Sequence, residues 1–241
     1  MTDAPMPGSG DTPPPGDRQT RDDRVAFGIP SGSEPRWPPI TAVVVAIALQ
    51  LVLPNTVTQV LGPRWLIPAV ETVLLVAIII TNPHRTDREE SNLRLLSLAM
   101  IAVITIANMV SLGELIRALL DSSHTGGRTL VFASVPIWLT NVIAFGLWYW
   151  ELDRGGVSQR LLPSHRKPDF LFPQMSTPGS SPGWTPMFID YLYTSFTNAT
   201  AFSPTDTMPL TPWAKLLMML QSMASLLTVA LVISRAVNIL N

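Results

Sequence analysis

The sequence predicts an all-α, polytopic membrane protein with five transmembrane helices and one re-entrant helix placed before the last of them. Three observations lead there. The 241 residues are 47% hydrophobic and only 14% charged, with mean hydropathy +0.30, a balance that belongs in a bilayer. Five apolar runs, residues 39–60, 65–81, 93–120, 130–150 and 213–240, approach or exceed the roughly 20 helical residues that a hydrocarbon core demands. A sixth run, residues 187–202, holds 16 residues, only ~24 Å of helix, and is followed at once by Ser203, Pro204, Thr205 and Asp206.

Taken in order, the first 36 residues are rich in Pro, Gly, Asp and Arg and offer almost nothing to bury, so a disordered tail is expected. It holds no early apolar run, and the first span is expected to act as a signal anchor. Within that span Pro54-Asn55 should end or kink the helix, and Gly62-Pro63 forces a turn into the second. Residues 37–129 would then carry the first three spans, and residues 130–241 a separate module: a helix at 130–150, a loop at 151–186, a short helix and loop at 187–209, and a last helix at 213–240. With five spans, twelve of the 16 Lys and Arg residues fall on one face, leaving Arg64, Arg117, Arg128 and Arg235 on the other. The basic-loop bias makes the first face cytoplasmic, with the N-terminus on it, in the cell membrane. Trp37, Trp148, Tyr149, Trp150, Trp184 and Trp213 fall at span ends on that face, as interfacial anchoring expects.

The short run should enter the membrane and return. Thr185 and Pro186 suit a helix start, and Asp190 favours the positive end of the helix dipole. Thr197, Asn198 and Thr200 would cluster at its C-terminal end. Non-helical backbone at membrane depth is tolerated only beside protein or water, and a helix's negative end pointed into such a space suits a cation. The last helix adds a polar stripe at helical spacing, Gln221, Ser225, Thr228 and Arg235, which faces either a partner helix or a water-filled lining. A ring of Arg235 side chains would repel cations.

On Ser195, Phe196, Thr197, Thr200, Asp206, Pro209 and Thr211 the chain resembles the pore region of the potassium-channel superfamily, over residues 187–241. The family's two filter glycines and tyrosine fall where this chain has Ala201, Phe202, Ser203, Pro204 and Thr205. Glycine supplies backbone angles that align consecutive carbonyls on the ion, and proline forbids them. The resemblance therefore implies outer helix, pore helix and inner helix, assembled as a homo-oligomer with four copies favoured, without the usual potassium filter. It is also similar to uncharacterised bacterial integral-membrane proteins.

Three functions stay open: an ion channel with inorganic ions as permeants, a non-conducting scaffold with a pore-like fold, and a small proton-coupled transporter built on Glu71. That carboxylate lies inside the second span, where it is a functional group or a structural hydrogen-bond partner of Asn108 or Asn141. Glu114 and Arg117 have the spacing of a pair on one helix face. No enzyme is expected, since no catalytic constellation is present. No cofactor or metal is expected: there are no cysteines, and His84, His124 and His165 lack ligand spacing. A net charge of −1 offers no footprint for nucleic acid, so the expected partners are the lipid bilayer and further copies of the chain.

Overall fold

A computed structural model describes residues 35, 37–81, 90–120, 127–160, 167–176, 184–200 and 206–240. The tail expected to be disordered, the three histidines and Ala201, Phe202, Ser203, Pro204 and Thr205 lie outside them. So does the side chain of Arg235, whose backbone is helical.

The chain is mostly helical. Six helices carry the fold: α1 (Trp37–Val52), α2 (Leu66–Thr81), α3 (Glu90–Leu120), α4 (Gly127–Leu152), α5 (Phe188–Thr200) and α6 (Pro212–Leu240). Among the described residues three segments are long and apolar enough to cross a membrane, namely Leu93–Leu120, Arg128–Gly155 and Pro212–Ile233, while α1 and α2 are apolar but shorter. The sequence places the first span at 39–60, but the helix stops at Val52, and the chain turns through Asn55–Val57 and Gln59–Leu61 in 3-10 geometry. Pro54 is the reason, because the residue before a proline is pushed out of the helical region. Gly62 then takes φ 87, a conformation for which only glycine carries no penalty, and the chain reverses into α2.

Helix α4 is the centre: α1, α3, α5 and α6 all pack on it. Of its span 61% is buried, against 22% for that of α6, so α6 forms the molecule's outer edge. Two apolar clusters stack along the bundle of α1 to α4. One gathers Val43, Ile47, Leu75, Ile101, Ile104, Ala144 and Leu147; the other gathers Leu53, Val57, Leu112, Leu115, Leu130 and Ile137. Pro136 sits inside α4 and withholds the N–H that would otherwise donate to the carbonyl one turn back.

The last three helices form a compact group in which α4, α5 and α6 touch one another pairwise. Gly146 makes the α4–α5 contact possible, since a Cβ there would sit 3.2 Å from Leu192 Cα and Cδ1. Backbone cannot retreat as a flexible side chain can. Gly146→Ala is accordingly expected to cost about 1–3 kcal/mol by overpacking. Gly113→Ala in α3 meets nothing within 4 Å and should gain up to ~1 kcal/mol of helix propensity. Thermal unfolding in detergent would read the two shifts, which must have opposite signs.

Candidate functional site

The residues singled out by sequence fall into two places. The first is the seam between α5 and α6. The start of α5 is set by Asp190, which accepts the N–H of Met187 at 2.8 Å. The helix begins at Phe188, so the sequence's choice of Thr185 as cap and Pro186 as first-turn residue is displaced by a carboxylate reaching back one turn. Burial pushes the Asp190 carboxyl up, against the pull of that Met187 N–H.

Gln221, fully buried on α6, holds the seam. Its Nε2 donates to the Ser195 carbonyl at 2.9 Å and to Ser195 Oγ at 2.6 Å. Its Oε1 accepts from the Tyr149 hydroxyl at 2.6 Å and from Asn198 Nδ2 at 2.8 Å. Ser195 passes the network on to the Val142 carbonyl at 2.6 Å, so α4, α5 and α6 share one chain of hydrogen bonds. A turn further along, Ser225 donates to the Ala199 carbonyl and accepts from Trp138 Nε1 at 2.7 Å. Ser225 lies 13 residues after Pro212, which puts the end of α5 about 20 Å along α6 from its start.

Asn198 is likewise held, donating to the Met218 carbonyl at 3.0 Å and accepting from Ser222 at 3.0 Å. The hydroxyls of Thr197 and Thr200 bond to the carbonyls of Tyr193 and Thr197, both at 2.9 Å, and Thr228 bonds to its own turn at Ala224. The polar stripe of α6 is thus real, but Gln221, Ser225 and Thr228 are at most 3% exposed. Within the chain, Gln221 and Ser225 face partner helices. Both meet α5, and each also meets α4, through Tyr149 and Trp138 respectively. Tyr149, read as an interfacial anchor, is fully buried, because its hydroxyl has Gln221 to bond with.

After Thr200 the chain comes back. At Thr207 its hydroxyl is 3.1 Å from that of Thr194, and Asp206 is exposed on a bend. Met208–Pro209 then pairs antiparallel with Phe170–Leu171, Phe170 opposite Pro209, and the N–H of Leu210 donates to the Asp169 carbonyl at 2.8 Å.

That short ribbon belongs to a polar knot at the end of α4, which no pattern in the sequence predicts. Asp153 is fully buried. It accepts the Tyr191 hydroxyl at 2.6 Å and the Asp169 N–H at 2.8 Å, and the Arg154 guanidinium lies 3.5 Å away. Asp169 returns the favour by accepting the Arg154 N–H at 2.8 Å and Trp213 Nε1 at 3.0 Å. Arg160 lies over the Tyr191 ring at 5.4 Å and donates to the carbonyls of Trp150 and Asp153. Burial, then the Asp153 carboxylate, pushes the Tyr191 phenol well above its usual range, so it stays a proton donor. Phe170 and Phe172 fill the rest, with ring centroids 6.0 Å from Trp213 and 5.2 Å from Tyr191.

The second place is the α1–α2 pair. Glu71 is fully buried and accepts from Gln50 Nε2 at 2.8 Å. Its partner is therefore neither Asn108 nor Asn141, although both are buried. Glu71 Oε2, Asn108 Nδ2 and both amide atoms of Asn141 find no hydrogen-bond partner among the described residues. Gln50, Asn108 and Asn141 each lie about one turn from members of both apolar clusters, and Glu71 one turn from Leu75. The four form a polar layer between the greasy ones. Glu114 and Arg117 pair at 3.2 Å, with Arg117 largely exposed.

No family model matches this chain, and no curated protein or solved structure matches it.

Proposed function

We propose that the protein is a homo-oligomeric, multi-pass protein of the cell membrane, four copies favoured, whose last three helices act as a channel-like module. In this reading α1 and α2 complete a set of five crossings with α3, α4 and α6. Helix α4 is the outer helix, α5 the re-entrant pore helix and α6 the inner helix. The observation that carries it is the return of the chain after α5: a helix whose end lies alongside Ser225 is followed by a segment back beside Thr194 and paired next to the start of α6. A segment that enters and leaves by one end can line an axis shared with other copies, and one loop per chain makes a closed passage only in a ring.

The passage would not select potassium by the usual filter, because residues 201–205 contain no glycine and include a proline. The N-terminus is assigned to the cytoplasm on the excess of basic residues on its face. Planar-bilayer recording of the purified protein is the test: ionic current across a range of salts, pH and voltage supports conduction, and silence under all of them overturns it.

A second reading, a scaffold that keeps the fold and does not conduct, is favoured by one observation. Gln221 and Ser225 of the α6 stripe are spent on α4 and α5, while the uncovered surface midway along α6 includes Met219, Met223, Leu226 and Leu227, an apolar lining that excludes water. Replacing Ser203-Pro204-Thr205 by Gly-Tyr-Gly separates the two: a gain of potassium current would show that the surroundings already suit a pore.

A further inference from the structure

The polar knot has an outer wall that the seam does not use. Between the start of α3, the end of α4 and the first turns of α6 lies a cavity of about 660 Å³, open on one side. Its lining includes Arg94, Lys167, the buried Arg154, and Leu216 and Leu220 of α6, the two leucines being 59% and 57% exposed. Among the described residues Asp169 is the only carboxylate on the wall, and its two oxygens are engaged by the Arg154 N–H and by Trp213.

Arg94 is aimed at this space by a contact that needs glycine. Gly156 has φ 107, and a Cβ on it would lie 3.2 Å from Arg94 Nε. The guanidinium therefore packs closely against the loop at Gly156, and its Nε, though buried, finds no hydrogen-bond partner among the described residues. The Arg154 charge is already met by Asp153, so Arg94 and Lys167 beside uncovered leucines set the chemistry of the site: an anionic headgroup joined to hydrocarbon.

We propose that this cavity binds one anionic phospholipid, its phosphate held by Arg94 and Lys167 and its acyl chains lying along Leu216 and Leu220. A guanidinium fork suits phosphate oxygens better than an ammonium does, so Arg94 is the principal contact and Lys167 a point charge beside it. The proposal rests on residence in a membrane and is independent of conduction.

The test uses the full chain in nanodiscs of phosphatidylcholine with and without phosphatidylglycerol, followed by native mass spectrometry of the lipid that survives extraction. Wild type should keep phosphatidylglycerol in preference to phosphatidylcholine. Arg94→Gln with Lys167→Gln should weaken that retention about thirtyfold, from roughly fivefold per cation at a membrane surface, with an unchanged melting temperature in lipid-free detergent. Arg154 is left in place because it supports the knot. Equal retention of the two lipids by wild type overturns the site without recourse to any variant, as does equal retention of phosphatidylglycerol by the folded double variant. Stabilisation of wild type by inorganic phosphate as large as that by phosphatidylglycerol overturns it too, since the site would then take a free anion. A chain that cannot enter nanodiscs overturns both this proposal and membrane residence, whereas silent bilayers leave the lipid result standing.

Discussion

Asp153→Ala should unfold the end of the module where α4, α5 and α6 meet, at a cost of about 3–5 kcal/mol, the usual toll for removing one partner from a buried charged pair. The substitution strips the acceptor from the Tyr191 hydroxyl and from the Asp169 N–H, and it leaves the Arg154 guanidinium beside a void. Arg154 is only 5% exposed, so water cannot readily replace the lost carboxylate. Asp153→Asn keeps an acceptor for Tyr191 and should lose less. Tyr191→Phe, which removes a donor and leaves a carboxylate still served by Asp169 and Arg154, should lose ~1–2 kcal/mol. Thermal unfolding followed by tryptophan fluorescence is a direct readout, because Trp213 is bonded to this cluster. Equal stability of wild type and Asp153→Ala would mean the knot holds nothing together.

Gln221→Leu comes next, with an expected loss of about 3 kcal/mol. Membrane hydrogen bonds average only ~0.6 kcal/mol each, with the largest near 2, so bond counting alone would predict less. The larger figure follows from what stays behind: the Tyr149 hydroxyl proton and one donor of Asn198 lose their partner in a dry seam, and each orphan costs ~1–3 kcal/mol unless it finds another. Because the penalty lies in the orphans, Tyr149→Phe should cost less in the Gln221→Leu background than in wild type. A double-mutant cycle on the two measures that coupling, and strict additivity would sink the account. Loss of the network should also free α5 from α6, read as faster proteolysis at residues 184–200.

The long helices and the short α5 were legible because hydrophobic run length is a direct physical requirement of a span. The polar stripe on α6 was legible too, by its spacing. Its facing was not, since periodicity tells that a face is special and is silent on what touches it. Tyr149 and Trp138 complete that seam from α4, at positions where an aromatic residue reads equally well as lipid contact or anchor.

Gln50 was recoverable in principle. It is the only polar residue with an amide side chain in α1, and Gln50 and Glu71 lie at comparable distances from the Gly62 reversal, so two antiparallel neighbours bring them level. Asp153, Asp169 and Tyr191 carried no such signal. Asp153 and Asp169 sit on a turn and a bend and Tyr191 on the first turn of α5, so their meeting depends on non-local contacts, and the positive φ of Arg154, at 56, has no mark in the sequence. Asp190 displaced Thr185 for a similar reason: two capping chemistries were within reach of the same helix start, and only packing chose between them.

Pro136 has one more implication. It interrupts the hydrogen-bond ladder of α4 close to Ile137, where that helix leaves the Leu112–Leu130 cluster and begins to hold α5 and α6. Bending stiffness in a helix comes from that ladder, so α4 is weakest there. The break falls between the two apolar clusters that hold this helix, Ile137 on one side and Ala144 and Leu147 on the other, so any flexure the proline allows shifts one greasy layer of the bundle against the next.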